Sequence, residues 1–85
     1  MKARRRPVVI DFFPAQELTT LKRWVESFGD DFDHHFVLNR DSLHVKTLEG
    51  NSYAVTSDDV IIRGIEGEYY PCKKTIFDQT YEVVQ

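Results

Sequence analysis

DVIIRGIEGEYYPCKKTIFDQTYE, residues 59–82, packs a strand, a turn, a second strand and a helix start into one run. Val60-Ile61-Ile62 places three branched residues in succession, which suits a central strand buried on both faces. Gly64 and Gly67 bracket a hairpin turn, and Glu68–Tyr70 is the returning strand. Thr75 and Asp78 stand at capping-box spacing, which predicts a helix of one or two turns carrying Ile76 and Phe77. Tyr81–Val84 then reads as a short closing edge strand.

Upstream, antiparallel hairpins continue the pattern. Leu43–Leu48 and Ser52–Thr56 alternate at period two around the turn Glu49-Gly50-Asn51. Leu43, Val45 and Thr47 share one face of the first strand; Tyr53 and Val55 share one face of the second. Ser57-Asp58 makes the next turn. Phe36–Leu38 is a short apolar run, and Asn39-Arg40-Asp41-Ser42 has turn chemistry. Asp30–His35, polar around Phe32, reads as a loop.

The first third supplies one strand and one helix. Pro7–Phe13 alternates, with Val8, Ile10 and Phe12 opposite Val9, Asp11 and Phe13. Pro14–Phe28 carries Leu18, Leu21, Val25 and Phe28 at helical spacing, with Trp24 widening the stripe. Pro14 fits a first helical turn and Gly29 the left-handed stop. The expected fold is α+β: a small two-layer domain with a mainly antiparallel sheet of about four to five strands, one amphipathic helix and a short C-terminal helix. Residues 1–85 read as a single domain, with residues 1–6 as a flexible basic start.

Charge is unevenly spread. The formal net charge is −3, yet Lys2, Arg4, Arg5 and Arg6 hold four of the eleven basic residues. Seven basic residues then face fourteen acidic ones, formally −7 for the rest of the chain. An acidic body repels phosphates, so nucleic acid is not the expected partner. No apolar run reaches the roughly 18–20 residues of a membrane span. Asp11 and Pro14 interrupt the stretch after the basic start, which argues against a signal peptide. Cys72 is the sole cysteine, so no disulfide within the chain supports a domain this small. Oligomerisation is one way for such a domain to gain burial.

Several constellations invite chemistry. His34 and His35, with Asp30, Asp31, Asp33 and His44, are ligand types for a transition metal. Adjacent histidines diverge on a strand, and the reading favours a solvated loop with no metal. Cys72, flanked by Lys73 and Lys74, lacks a nearby base in sequence and reads as a buried small side chain. Gly64–Gly67 lacks the context of a phosphate loop. Tyr69, Tyr70, Phe77 and Tyr81 gather near Arg63, Lys73 and Lys74. Such a group can stack a base with cations on phosphate, anchor a protein interface, or fill a core. On a strand, Tyr69 and Tyr70 point to opposite faces, so one of them is expected to face outward.

The closing segment resembles the C-terminal signature of a set of small bacteriophage and prophage proteins of unknown function. The shared positions are Asp59, Ile61, Ile62, Arg63, Gly64, Gly67, Glu68, Tyr70, Pro71, Cys72, Lys73, Ile76, Phe77, Thr80, Tyr81 and Glu82. The opening, with Lys2, Arg4, Pro7, Val8, Val9 and Ile10, is also similar. Ser57-Asp58 and Lys74-Thr75 depart from the signature's Pro-Gly and Pro-Asp. The resemblance implies a phage-encoded accessory protein of the host cytoplasm. Such a protein would need no cofactor and would bind a host protein, inhibiting a host enzyme or defence component rather than acting as an enzyme. The alternative is a nucleotide or small-molecule binder built on Arg63, Tyr70, Lys73 and Tyr81. An enzyme centred on Cys72 or His34/His35 ranks last. The expected partner-binding residues are Arg63, Glu68, Tyr69, Tyr70, Lys73, Tyr81 and Glu82.

Overall fold

The computed structural model describes residues 1–3, 8–15, 17–47 and 49–84. Most of the basic start, with Pro7, lies outside them. Nine elements follow in order: β1 (Asp11–Pro14), α1 (Leu18–Glu26), α2 (Phe32–His35), β2 (Phe36–Asn39), β3 (Ser42–Lys46), β4 (Ser52–Val55), β5 (Asp59–Arg63), β6 (Tyr69–Lys73) and α3 (Lys74–Thr80). The α+β class and the antiparallel pairing are as the sequence predicts. The strands, however, form two three-stranded sheets, ordered β1-β5-β6 and β2-β3-β4.

β5 is the central strand that its branched triplet predicts. Phe12 and Phe13 pair with Ile62 and Ile61 on one side, and Tyr70 and Cys72 pair with Ile62 and Val60 on the other. Ile61 faces the larger core, made with Leu21, Val25, Phe32, Phe36, Val45 and Tyr69. Val60 and Ile62 face the opposite side, under Phe77 of α3. The first sheet is therefore covered twice, by α1 and the second sheet on one face and by α3 on the other. This exceeds the two layers expected, because α3 adds a third.

Several boundaries differ from the expectations, each for a local reason. Pro14 closes β1 opposite Val60 instead of opening a helix, and α1 begins at Leu18 after the extended Glu17. Gly29 takes φ +82° and stops the chain after α1, as predicted. The Asp30–His35 loop contains one helical turn. The Asp31 side chain accepts a hydrogen bond from the Asp33 N–H at 3.2 Å, which caps that turn, and Phe32 anchors it in the core. Thr75 and Asp78 form no capping box, because α3 starts one residue before Thr75. Asp78 pairs instead with Lys74 at 3.0 Å. Tyr81–Val84 pairs with no strand among the described residues, and Tyr81 folds its ring onto Phe77 at 5.1 Å.

Candidate protein-binding groove

The groove arises from a mismatch in length between α1 and the sheet it covers. In the second sheet, Phe36, Leu38, Leu43, Val45, Tyr53 and Val55 share the face turned toward the core, since side chains alternate along each strand. Phe36 and Val45 are sealed beneath α1, α2 and Tyr69. The last row, Leu38 opposite Leu43 opposite Val55, runs past that cover. Leu38 is 58% exposed although it points the same way as Phe36, which is 2% exposed.

Above this row stands the first turn of α1. Leu18, 40% exposed, and buried Leu21 complete an apolar trough. Ala15, Thr56 and Ser57 close its ends, and Glu17 and Asp41 stand at its rim; the volume is about 270 Å³. Among the described residues the lining carries two carboxylates and no cation. Its chemistry is that of an apolar side-chain receptor with acidic edges. The trough was hidden in the sequence. Leu18, Leu43 and Val55 are ordinary members of apolar stripes, and only the register and the late start of α1 leave their row open.

The residues selected from the sequence lie outside the trough and are brought together only in pairs, Arg63 with Tyr69 on one face of the first sheet and Tyr70 with Tyr81 on the other. Tyr69 is 1% exposed, and its hydroxyl donates to Asp30 Oδ2 at 2.6 Å. Arg63 Nε donates to the same oxygen at 3.3 Å, and the guanidinium lies 4.5 Å over the Phe28 ring. The Tyr69 hydrogen bond, with help from Arg63, holds the Asp30 carboxyl below the usual carboxylate range, while burial raises Tyr69. The ring of His35 packs 4.8 Å from that of Tyr69, and burial lowers the His35 imidazole. This cluster pins the β5–β6 hairpin to the segment after α1. Asp30, which sequence reasoning weighed only as a metal ligand, is its hub.

Tyr70 is half-buried. It sits on the α3 side with Phe12, Cys72 and Tyr81, where burial, with the Tyr81 hydroxyl beside it, raises it to about 12. Tyr69 is the sealed member of the pair and Tyr70 the partly open one, because α3 covers its face of β6 only in part. Lys73 lies at the far end of β5 from Arg63, opposite Asp59. Its Nζ is 3.4 Å from Asp59 Oδ1 and donates to Thr56 Oγ1 at 3.3 Å. Glu68 is folded back over Gly64, filling the space a Cβ there would need, and accepts from the Glu66 N–H at 3.0 Å. Glu82 is exposed and lines a small cavity with Val8, Val9 and Ile10.

Cys72 is half-buried on the α3 side, and burial raises its thiol, with Asp59 adding to the effect. The thiol is therefore the resting form at neutral pH. His34 and His35 stand on α2, across the first sheet from it, with their ring centroids 5.1 Å apart. Among the described residues no group of three ligating side chains is arranged to hold a metal. No helix among them is long and apolar enough to cross a membrane. No protein-family model, curated protein or solved structure matches the chain.

Proposed function

We propose that this protein acts by binding another protein, and that the trough between α1 and the Leu38–Leu43–Val55 row is where it does so. The observation that carries the reading is Leu38, an inward-facing core-type residue left 58% exposed at the mouth of a pocket. Contiguous open apolar surface with a polar rim is what protein-interaction sites share. The two rim carboxylates favour a partner segment that sets a cation beside an apolar anchor. The resemblance of residues 59–82 to small phage proteins supports a phage-encoded accessory protein in the host cytoplasm. Its partner is then a host enzyme or defence component, held without catalysis. A nucleotide site on Arg63, Tyr70, Lys73 and Tyr81 draws no support from their placement. Arg63 and Tyr70 face opposite sides of the first sheet, and Arg63 and Lys73 stand at opposite ends of β5.

Affinity capture from a bacterial lysate tests the reading, with the wild-type chain and Leu38→Glu as parallel baits. A protein retained by the wild type and lost by Leu38→Glu supports it. Equal retention by both baits moves the site away from the trough, and retention of nothing by either contradicts a protein-binding role.

A further inference from the structure

A different surface points to self-association. β1 is the edge of its sheet and pairs only with β5 among the described residues. Its register ends at Asp11 opposite Arg63, where β5 gives way to the Gly64 turn. Val8, Val9 and Ile10 therefore project past the end of β5 and pair with no strand among the described residues. Val8 is 49% and Val9 79% exposed. Val83 and Val84, 59% and 66% exposed, stand beside them around a small cavity of about 100 Å³. An unpaired edge continued by an unpaired apolar overhang is a template for strand addition.

We infer that the occupant of this edge is a second copy of the same chain, added antiparallel across a two-fold axis. The overhang and the edge are complementary in length, since Val8–Ile10 of each copy covers the free side of the other's Ile10–Phe12. A two-fold relating antiparallel neighbours in one sheet stands perpendicular to it and keeps each face on its own side. Directly opposite residues must then share a face, and one residue sits on the axis. Asp11 on the axis would oppose two carboxylates. Ile10 on the axis sets Val8 beside the partner copy's Phe12, on the α3 side where Ile10 and Phe12 already join the core. The two three-stranded sheets become one of six strands, and the apolar layer beneath α3 continues across the axis. The contact is isologous and closes at two copies. It is separate from the trough and stands or falls independently of it.

Light scattering across a concentration series tests the pairing. The expected mass is twice the 10.0 kDa of one chain, falling to one chain on dilution. Val8→Glu, a substitution at a half-exposed position, is expected to yield the single-chain mass at every concentration while keeping the wild-type circular dichroism spectrum, with a melting temperature that no longer depends on concentration. Ile10→Cys in a Cys72→Ser background is expected to oxidise to a covalent pair, because the two sulfurs meet on the axis. A single-chain mass for the wild type at every concentration overturns the inference. So does a two-chain mass that survives Val8→Glu, or one that Leu38→Glu abolishes instead.

Discussion

The Tyr69 hydroxyl donates to the Asp30 carboxylate at 2.6 Å across 39 residues of sequence. That single contact ties the β5–β6 hairpin to the turn that ends α1. Tyr69 also touches Trp24, His35 and Phe36 with its ring, so one side chain links α1, α2 and both sheets. A hydrogen bond to a charged acceptor contributes about 1.5–3 kcal/mol. Tyr69→Phe, which keeps the ring, is expected to lower unfolding free energy by about 2 kcal/mol in urea titration. Tyr69→Ala removes the ring as well and is expected to cost about 3–5 kcal/mol.

Acid should act through the same cluster, in two stages. The His35 imidazole is lowered by burial, so the unfolded chain takes up its proton first as pH falls through about 6.5. Stability therefore declines below that point until the folded state also protonates. Asp30 is depressed in the folded state, chiefly by the Tyr69 hydrogen bond, so its contribution is fully present above about 3.9. That contribution is lost as pH drops through the lower folded value. Melting temperature against pH is expected to show both declines, with His35→Gln flattening the upper one and Asp30→Asn the lower.

Asp59 and Lys73 form an unequal pair. The carboxylate is 5% exposed and also accepts from the Thr56 N–H at 2.8 Å, whereas the ammonium side chain is 54% exposed. Asp59→Ala removes a buried charged acceptor from the Thr56 N–H and is expected to cost about 1.5–3 kcal/mol. Lys73→Met loses only a solvent-screened ion pair and is expected to cost about 1 kcal/mol or less. Equal losses in denaturant titration would contradict this asymmetry.

Gly64 is required by Glu68. A Cβ at Gly64 would fall where the Glu68 carboxylate lies, and displacing that group breaks its bond to the Glu66 N–H. Gly64→Ala is expected to cost about 1 kcal/mol in the wild type and close to nothing on a Glu68→Ala background. A double-mutant cycle measures the difference.

Legibility followed how local each determinant was. The Val60-Ile61-Ile62 triplet announces a twice-covered strand because burial on both faces leaves no polar position. Gly67 and Gly50 announce their hairpins because each takes positive φ, +79° and +87°. The helix stop at Gly29 is legible for the same reason. Pro14 misleads, because a proline suits an edge-strand end as well as a first helical turn. The capping-box spacing at Thr75 misleads because Lys74 enters the helix directly from β6. Arg63 and Tyr69 stand out in sequence, but their partner Asp30 lies 39 residues from Tyr69, a pairing that no local pattern encodes. The trough is least legible of all. Leu38 and Leu18 look like core residues and are core-facing; only the tertiary offset between α1 and the second sheet uncovers them.

Stability should be nearly indifferent to the trough's mouth. Leu38 is more than half exposed, so Leu38→Glu is expected to change unfolding free energy by about 0.5 kcal/mol or less. That separates a binding role from a folding role at this position.

Amide hydrogen exchange on the wild-type chain, free and in complex with a protein captured from lysate, tests the central claim most directly. The account predicts that added protection concentrates at Glu17–Leu21, Leu38–Leu43 and Val55–Ser57, the three segments that line the trough. Protection confined to other segments, with these three exchanging as in the free chain, would contradict it.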